Sequence, residues 1–173
     1  MKRKFVLGTL VMVSVLNASD IYGRLGVAQT SGVGNLDSGI SVVGAVGTKM
    51  GNNLGLELEA TQTVSHPSKS YSYYYYNLDL EMKILNVGLY GVYDFLIPDT
   101  SIAIKPRIGL NYQHWTADGS DNYYNSASAS DSKTGLSYGV GISYKFSDDM
   151  EVVLDYVDKG DSTNLGLGVQ MSF

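Results

Sequence analysis

The sequence predicts an all-β protein, an eight-stranded antiparallel up-and-down transmembrane β-barrel. Three observations predict it. Eight segments alternate large apolar residues with small or polar ones, the period-2 signature of strands with two unlike faces. Short turns alternate with mostly longer loops between them, the connectivity of a barrel that crosses a bilayer. The 173 residues include 20 glycines, 14 tyrosines and three prolines, with only 17% charged. That composition favours strands and lacks the dense charge of a solvated outer face.

The elements follow in order. Residues 1–19 read as a cleavable signal peptide: Lys2-Arg3-Lys4, an apolar run over residues 5–16, then small polar Asn17-Ala18-Ser19. The run is shorter than the roughly 20 residues of a membrane helix. Cleavage is expected after Ala18 or after Ser19, leaving a barrel domain over residues 20–173. The first segment, residues 21–30, sets Ile21, Leu25 and Val27 against Tyr22 and Arg24. The second, about 39–50, sets Ile40, Val42 and Val46 against Ser41, Ala45 and Lys49. The third, 54–64, sets Leu54, Leu56 and Leu58 against Gly55, Glu57 and Glu59.

The fourth is clearest over 87–95, where Val87, Leu89, Tyr93 and Phe95 oppose Gly88, Tyr90 and Asp94. Before it, Leu78, Leu80, Met82 and Ile84 alternate in the other phase. That change predicts a bulge near Leu85-Asn86, in a strand reaching out of the membrane towards residue 77 without a separate ninth strand. The fifth, 102–114, sets Ile104, Ile108, Leu110 and Tyr112 against Lys105, Arg107 and Asn111. The sixth, 136–146, sets Tyr138, Val140, Ile142, Tyr144 and Phe146 against Gly139, Gly141, Ser143 and Lys145. The seventh, 152–159, sets Leu154 and Tyr156 against Val153 and Asp155. The eighth closes the chain, with Leu165, Leu167, Val169, Met171 and Phe173 on one face.

Tight turns are expected at 51–53, 97–100 and 147–149, and longer connections at 31–38, 65–82 and 115–135. An even strand number puts both termini on the short-turn side. The stretch "SYSYYYY", residues 70–76, reads as an extension of a hairpin above the membrane, or as an adhesive surface. Residues 118–133 read as a mobile polar loop.

Alternation also assigns the faces. The apolar face suits lipid, and the Gly-, Ser- and Thr-rich face suits a crowded lumen. Arg24, Lys105, Arg107 and Lys145 would then point inward, opposite Glu57, Glu59, Asp94 and Asp155. Buried together, they are expected to form a lumenal charge network. Two aromatic girdles are expected at the interfaces. Tyr93, Phe95, Tyr144, Phe146 and Phe173 fall at the short-turn end, and Tyr112, Tyr138 and Tyr156 at the long-loop end.

The chain resembles the small OmpA/OmpX-type outer-membrane barrels over about residues 20–173. Its alternating last strand, Leu165, Leu167, Val169, Met171 and Phe173, resembles the terminal signature read by the outer-membrane assembly machinery. The resemblance implies a Gram-negative outer membrane with both termini periplasmic. It implies as partners the membrane lipid, the assembly machinery during biogenesis, and an extracellular ligand at the loops. A monomer is expected.

Little in the sequence points to chemistry. Without residues 1–19, nine basic residues face 17 acidic ones, a net charge of −8. That argues against nucleic acid or another polyanion as partner. There is no cysteine and there are two histidines, which leaves little for a metal. Asp155, Asp158 and Asp161 lack calcium-loop spacing. His114, in "YQHWT", has Thr116 where a deacylase-type barrel would carry serine, and reads as an interfacial histidine. No catalytic residue and no cofactor are therefore assigned. The leading expectation is a structural or adhesive surface protein. A narrow small-solute channel is the alternative, and a lipid A-modifying enzyme comes third.

Overall fold

A computed structural model describes residues 20–32, 34, 36–50, 53–73, 76–121 and 126–173. The predicted signal peptide and parts of four connections lie outside the described residues. Ten strands are present: β1 (Ile21–Ser31), β2 (Gly39–Lys49), β3 (Leu54–Ser65), β4 (Ser68–Tyr73), β5 (Tyr76–Tyr93), β6 (Phe95–Leu96), β7 (Ile102–Asp121), β8 (Ser126–Lys145), β9 (Met150–Asp158) and β10 (Thr163–Ser172). They form eight staves, because β4 continues the line of β3 and β6 that of β5. Neighbouring staves pair antiparallel, and β1 pairs with both β2 and β10, which closes the barrel. Closure satisfies the strand backbones internally, the condition for crossing hydrocarbon without helices.

The side-chain faces follow the alternation. Leu25, Val27, Ile108, Leu136, Tyr138, Ile142 and Leu167 stand exposed on the outside, while Arg24, Glu57, Glu59, Lys105, Arg107 and Asp155 are buried within. An outside this apolar is stable only against lipid. Asp20, where the described residues begin, and Phe173 both lie with the short turns. Phe173 N donates to Ile21 O, Ser172 N to Asp149 O, and Lys49 N to Asp20 O.

The staves are unequal. A tilted strand crosses a bilayer in about 9–11 residues, yet β7 and β8 have 20 residues each and β5 has 18. The surplus lies at the long-loop end. There β4, β5, β7 and β8 run on as a protruding four-stranded sheet, here called the head. The outward apolar row ends at Leu85, Tyr112 and Leu136 on three neighbouring staves, and Lys83, Thr116 and Ser130, which share one register row, stand above it.

Two expectations need correction here. First, β5 has no bulge at Leu85-Asn86, since its pairing with β7 runs unbroken from Leu78↔Asp121 to Val92↔Arg107. The irregularity sits on the opposite arm. Between Gln62↔Leu85 and Ser68↔Glu81, five residues (63–67) oppose three (82–84), and this break makes β4 a separate strand. Met82 N donates to Pro67 O at 2.9 Å, and Ile84 N to Thr63 Oγ1 at 2.9 Å, tying the bulged arm back. Second, most of the polar stretch over 118–133 is not a loop. It pairs as hairpin up to Ser120↔Ser126. The tyrosine-rich stretch likewise extends a hairpin, with Ser70↔Asp79 and Tyr71↔Leu78 in register.

Candidate functional site

Two places could carry function: the lumen and the head. The lumen is built from inward positions of strands that face one another across the barrel. Arg24 on β1 and Arg107 on β7 reach the same three carboxylates, Glu57 and Glu59 on β3 and Asp155 on β9. Arg24 Nη2 lies 3.0 Å from Glu57 and 2.7 Å from Glu59, and Arg107 Nη2 lies 2.8 and 2.7 Å from the same groups. Asp155 completes the set against both guanidiniums.

Lys159 adds a third cation. Its Nζ donates to Glu59 Oε1 at 2.9 Å and to Thr61 Oγ1 at 3.0 Å. Three cations thus meet three anions in a buried cluster, and each charge has hydrogen-bonded partners, as burial of charge requires. Tyr22 donates to Glu57 Oε2 at 3.0 Å. The Arg107 guanidinium lies 4.0 Å from the Tyr90 ring centre, a cation–π contact.

Glycine makes room for these rings. A Cβ at Gly47 would collide with the Tyr22 ring, and one at Gly88 with the Tyr90 ring. Each tyrosine therefore lies across the lumen wall on a residue without a side chain.

A second tier lies nearer the short turns. Lys105 Nζ is 2.5 Å from Glu151 and 3.6 Å from Asp94, and Lys49 is 3.5 Å from Asp94. Beyond it opens a vestibule of about 390 Å³, lined by Asp20, Lys49, Asp94, Lys145 and Glu151 among others. Between the tiers, among Tyr22, Arg24, Glu57, Lys105 and Arg107, about 20 Å³ remains, room for roughly one water molecule.

Seven of the eight network residues named from the sequence are buried in these two tiers. Lys145 is the exception. It is exposed at the vestibule, because β8 ends there and the side chain reaches past the wall. Lys159, Glu151 and Lys49 were not among them. Lys159 continues the inward series Val153, Asp155, Val157, and that parity was the available signal.

The aromatic residues named for the girdles, Tyr93, Phe95, Tyr112, Tyr138, Tyr144, Phe146, Tyr156 and Phe173, all face outward. So do Leu165, Leu167, Val169 and Met171 on β10. Phe173 lies over Gly23, where an added Cβ would be 3.6 Å from its ring.

His114 Nδ1 lies 2.8 Å from Ser132 Oγ, which also accepts from Tyr112 Oη at 3.1 Å. His66, which had no evident partner in the sequence, pairs with Glu81 across the bulge. No group of three or more His, Cys, Asp or Glu positioned for a metal occurs among the described residues.

The head is polar outside and apolar inside. Leu78, Leu80 and Met82 are half-buried and Ile84 is buried, whereas Asp79, Glu81 and Lys83 are exposed. Lys83 Nζ donates to Asp118 Oδ2 at 3.0 Å. Hydrogen bonds from Ser128 and then Lys83 hold the Asp118 carboxyl below its ordinary range, and Asp118 in turn raises Lys83. A cleft of about 710 Å³ opens beside Ser70, Asp79, Glu81, Asp118 and Ser128.

A closed barrel with a belt of lipid-facing residues now meets a family pattern. The family described as "Outer membrane protein beta-barrel domain" matches residues 5–173. The chain belongs to that family. Solved structures share its fold. Ail, the attachment invasion locus protein of Yersinia pestis, is 20% identical, with 90% of this chain and 99% of that chain covered and a TM-score of 0.60. The N-terminal β-barrel domain of Pseudomonas aeruginosa OprF is 16% identical, covering 90% and 98%, with a TM-score of 0.60. A major outer membrane protein from Thermus thermophilus is 13% identical, covering 88% and 99%, with a TM-score of 0.65. No curated protein matches. Ail and OprF are small outer-membrane barrels of the OmpA/OmpX type, and the family places the chain in an outer membrane.

Proposed function

We propose that the barrel is a membrane anchor and that the head works as a surface-interaction module outside the cell. One observation carries this reading: the lumen is filled by paired charges while the strands nearly double in length on one side. An eight-stranded interior is about wide enough for side chains to fill, and here two charged tiers fill it. The short-turn end, with both termini, is then periplasmic. The paired charges act structurally, keeping a polar interior stable without water.

The head offers a rigid sheet with exposed Tyr71, and large aromatic area at low entropy cost suits recognition. A structure of Ail holds the heparin analogue sucrose octasulfate. Asp79, Glu81 and Asp118 on this head disfavour so anionic a ligand. Among the described residues no acid is bonded to His114 beside Ser132, so a hydrolytic reading has one partner too few.

The test replaces residues 68–80 and 117–131 by short turns and compares attachment of cells displaying each form to cultured epithelial monolayers. The trimmed barrel should still shift mobility on heating in SDS gels, as folded barrels do, but should lose attachment to the monolayer. Equal attachment by a folded, trimmed barrel would remove the head from the function.

A further inference from the structure

The head has two edges, and they differ. β4 is guarded: it follows the His66-Pro67 bulge and carries Lys69. Natural sheets blunt free edges with such prolines, lysines and bulges. The β8 edge is open. Over residues 126–137 β8 pairs with β7, and its pairing with β9 starts only at Tyr138. Among the described residues no strand lies on its other side. Residues 126–134 are all exposed, and residues 126–130 hold no charge and no proline.

That stretch, Ser126-Ala127-Ser128-Ala129-Ser130, reads the same in both directions. Antiparallel pairing reverses one strand. Two copies set about Ser128 place Ser126 opposite Ser130, Ala127 opposite Ala129, and Ser128 opposite itself. Every opposed pair is like on like, and no side chain is large enough to hold the backbones apart. A twofold contact of this kind uses the same patch on both partners.

We propose that the β8 edge pairs with the β8 edge of a second copy held on a facing membrane. Strand direction fixes the word facing. The twofold axis relating antiparallel edge strands stands perpendicular to their sheet, so it inverts one molecule relative to the other. Two copies in one membrane, related about the membrane normal, keep both strands pointing outward and cannot pair this way. Each contact is small, so its strength comes from many copies acting together between two surfaces. Ser128 lies ten residues from Tyr138, or about 34 Å along a strand at roughly 3.4 Å per residue. The paired heads therefore bridge a gap of less than about 70 Å. This rests on the head being an interaction surface and names one partner for it, the chain itself.

The full chain reconstituted in phosphatidylcholine vesicles tests it by turbidity, with gel mobility on heating confirming the fold of each form. Wild-type vesicles should clump, with intermembrane gaps under about 70 Å in frozen-hydrated images. Ser128→Lys vesicles and Ser128→Asp vesicles should each stay dispersed, because the twofold register opposes like charges. Mixing the two populations should restore clumping, because the introduced ammonium then faces the introduced carboxylate. Dispersed wild-type vesicles, clumping of either variant alone at the wild-type level, or a mixture that stays dispersed would each overturn self-pairing. None of these results bears on attachment to epithelial monolayers, so the two readings fail separately.

Discussion

Glu59 is the residue on which the lumen most depends. It accepts from Arg24 and Arg107 at 2.7 Å each and from Lys159 at 2.9 Å. Removing its charge leaves three buried cations facing two carboxylates. Breaking a buried pair from one side typically costs about 3–5 kcal/mol. Glu59→Gln should therefore lower the unfolding free energy of the barrel refolded in lipid by an amount in that range, seen as a lower urea midpoint at unchanged slope. Lys145→Ala, at an exposed position, should leave the midpoint unchanged within error. Equal losses in the two variants would mean that the network lies elsewhere. The contrast also shows what sequence reading could reach at this scale. Parity marks a residue as inward, and it did so for Arg24, Glu57, Glu59 and Asp155. It cannot say where the wall ends, so it marks Lys145 as inward although that side chain stands exposed at the vestibule. Lys159 carried the right parity but stands beside Gly160-Asp161, a pair that reads as turn.

Among the elements, β5 shows why a phase change is not always a bulge. Its outward residues are apolar from Tyr93 up to Leu85 and charged at Lys83, Glu81 and Asp79. The backbone stays regular throughout. What changes is the surrounding medium: lipid below that level, water above it. The apolar face must therefore turn from outside to inside as the strand leaves the membrane, and the sequence phase flips with no extra residue. The same switch explains β7 and β8, whose outer halves look like loop because their outward face has become Thr, Asp and Ser. Pairing of those halves depends on a partner strand, which composition alone does not reveal.

The outer row Lys83, Asp118 and Ser128 gives the head a pH dependence with a definite sign. The Asp118 carboxyl is held below its ordinary value of 3.8, first by Ser128 and then by Lys83. A lowered carboxyl contributes stability that is present above the ordinary value and is lost as pH falls through the lower, folded one. Amide exchange at residues 117–119 and 127–129 should thus be steady from pH 7 to about 5, once corrected for intrinsic rates, and should quicken below 3.8. Asp118→Asn should abolish the acid-induced step. A step that survives this substitution would assign it to another group. The barrel amides below Tyr112 should not respond in parallel.

For the whole molecule, the eight staves, the closed connectivity and the lipid-facing belt were legible because each rests on a period of two repeated over many residues. Of the head, the β4–β5 hairpin was legible from the alternation over residues 78–84 and the tyrosine-rich stretch, whereas the β7–β8 half was not, because its strands are polar on both the edge and the outer face. The division of labour proposed here, an anchor below and an interaction sheet above, turns on whether the lumen is shut. The direct measurement is single-channel recording of the refolded chain in planar bilayers. With two charged tiers and about 20 Å³ between them, insertion should add no steady current above the bare-lipid baseline in 1 M KCl. Stable, ohmic steps at neutral pH from barrels shown to be folded would contradict a sealed lumen and make a small-solute pore the better description.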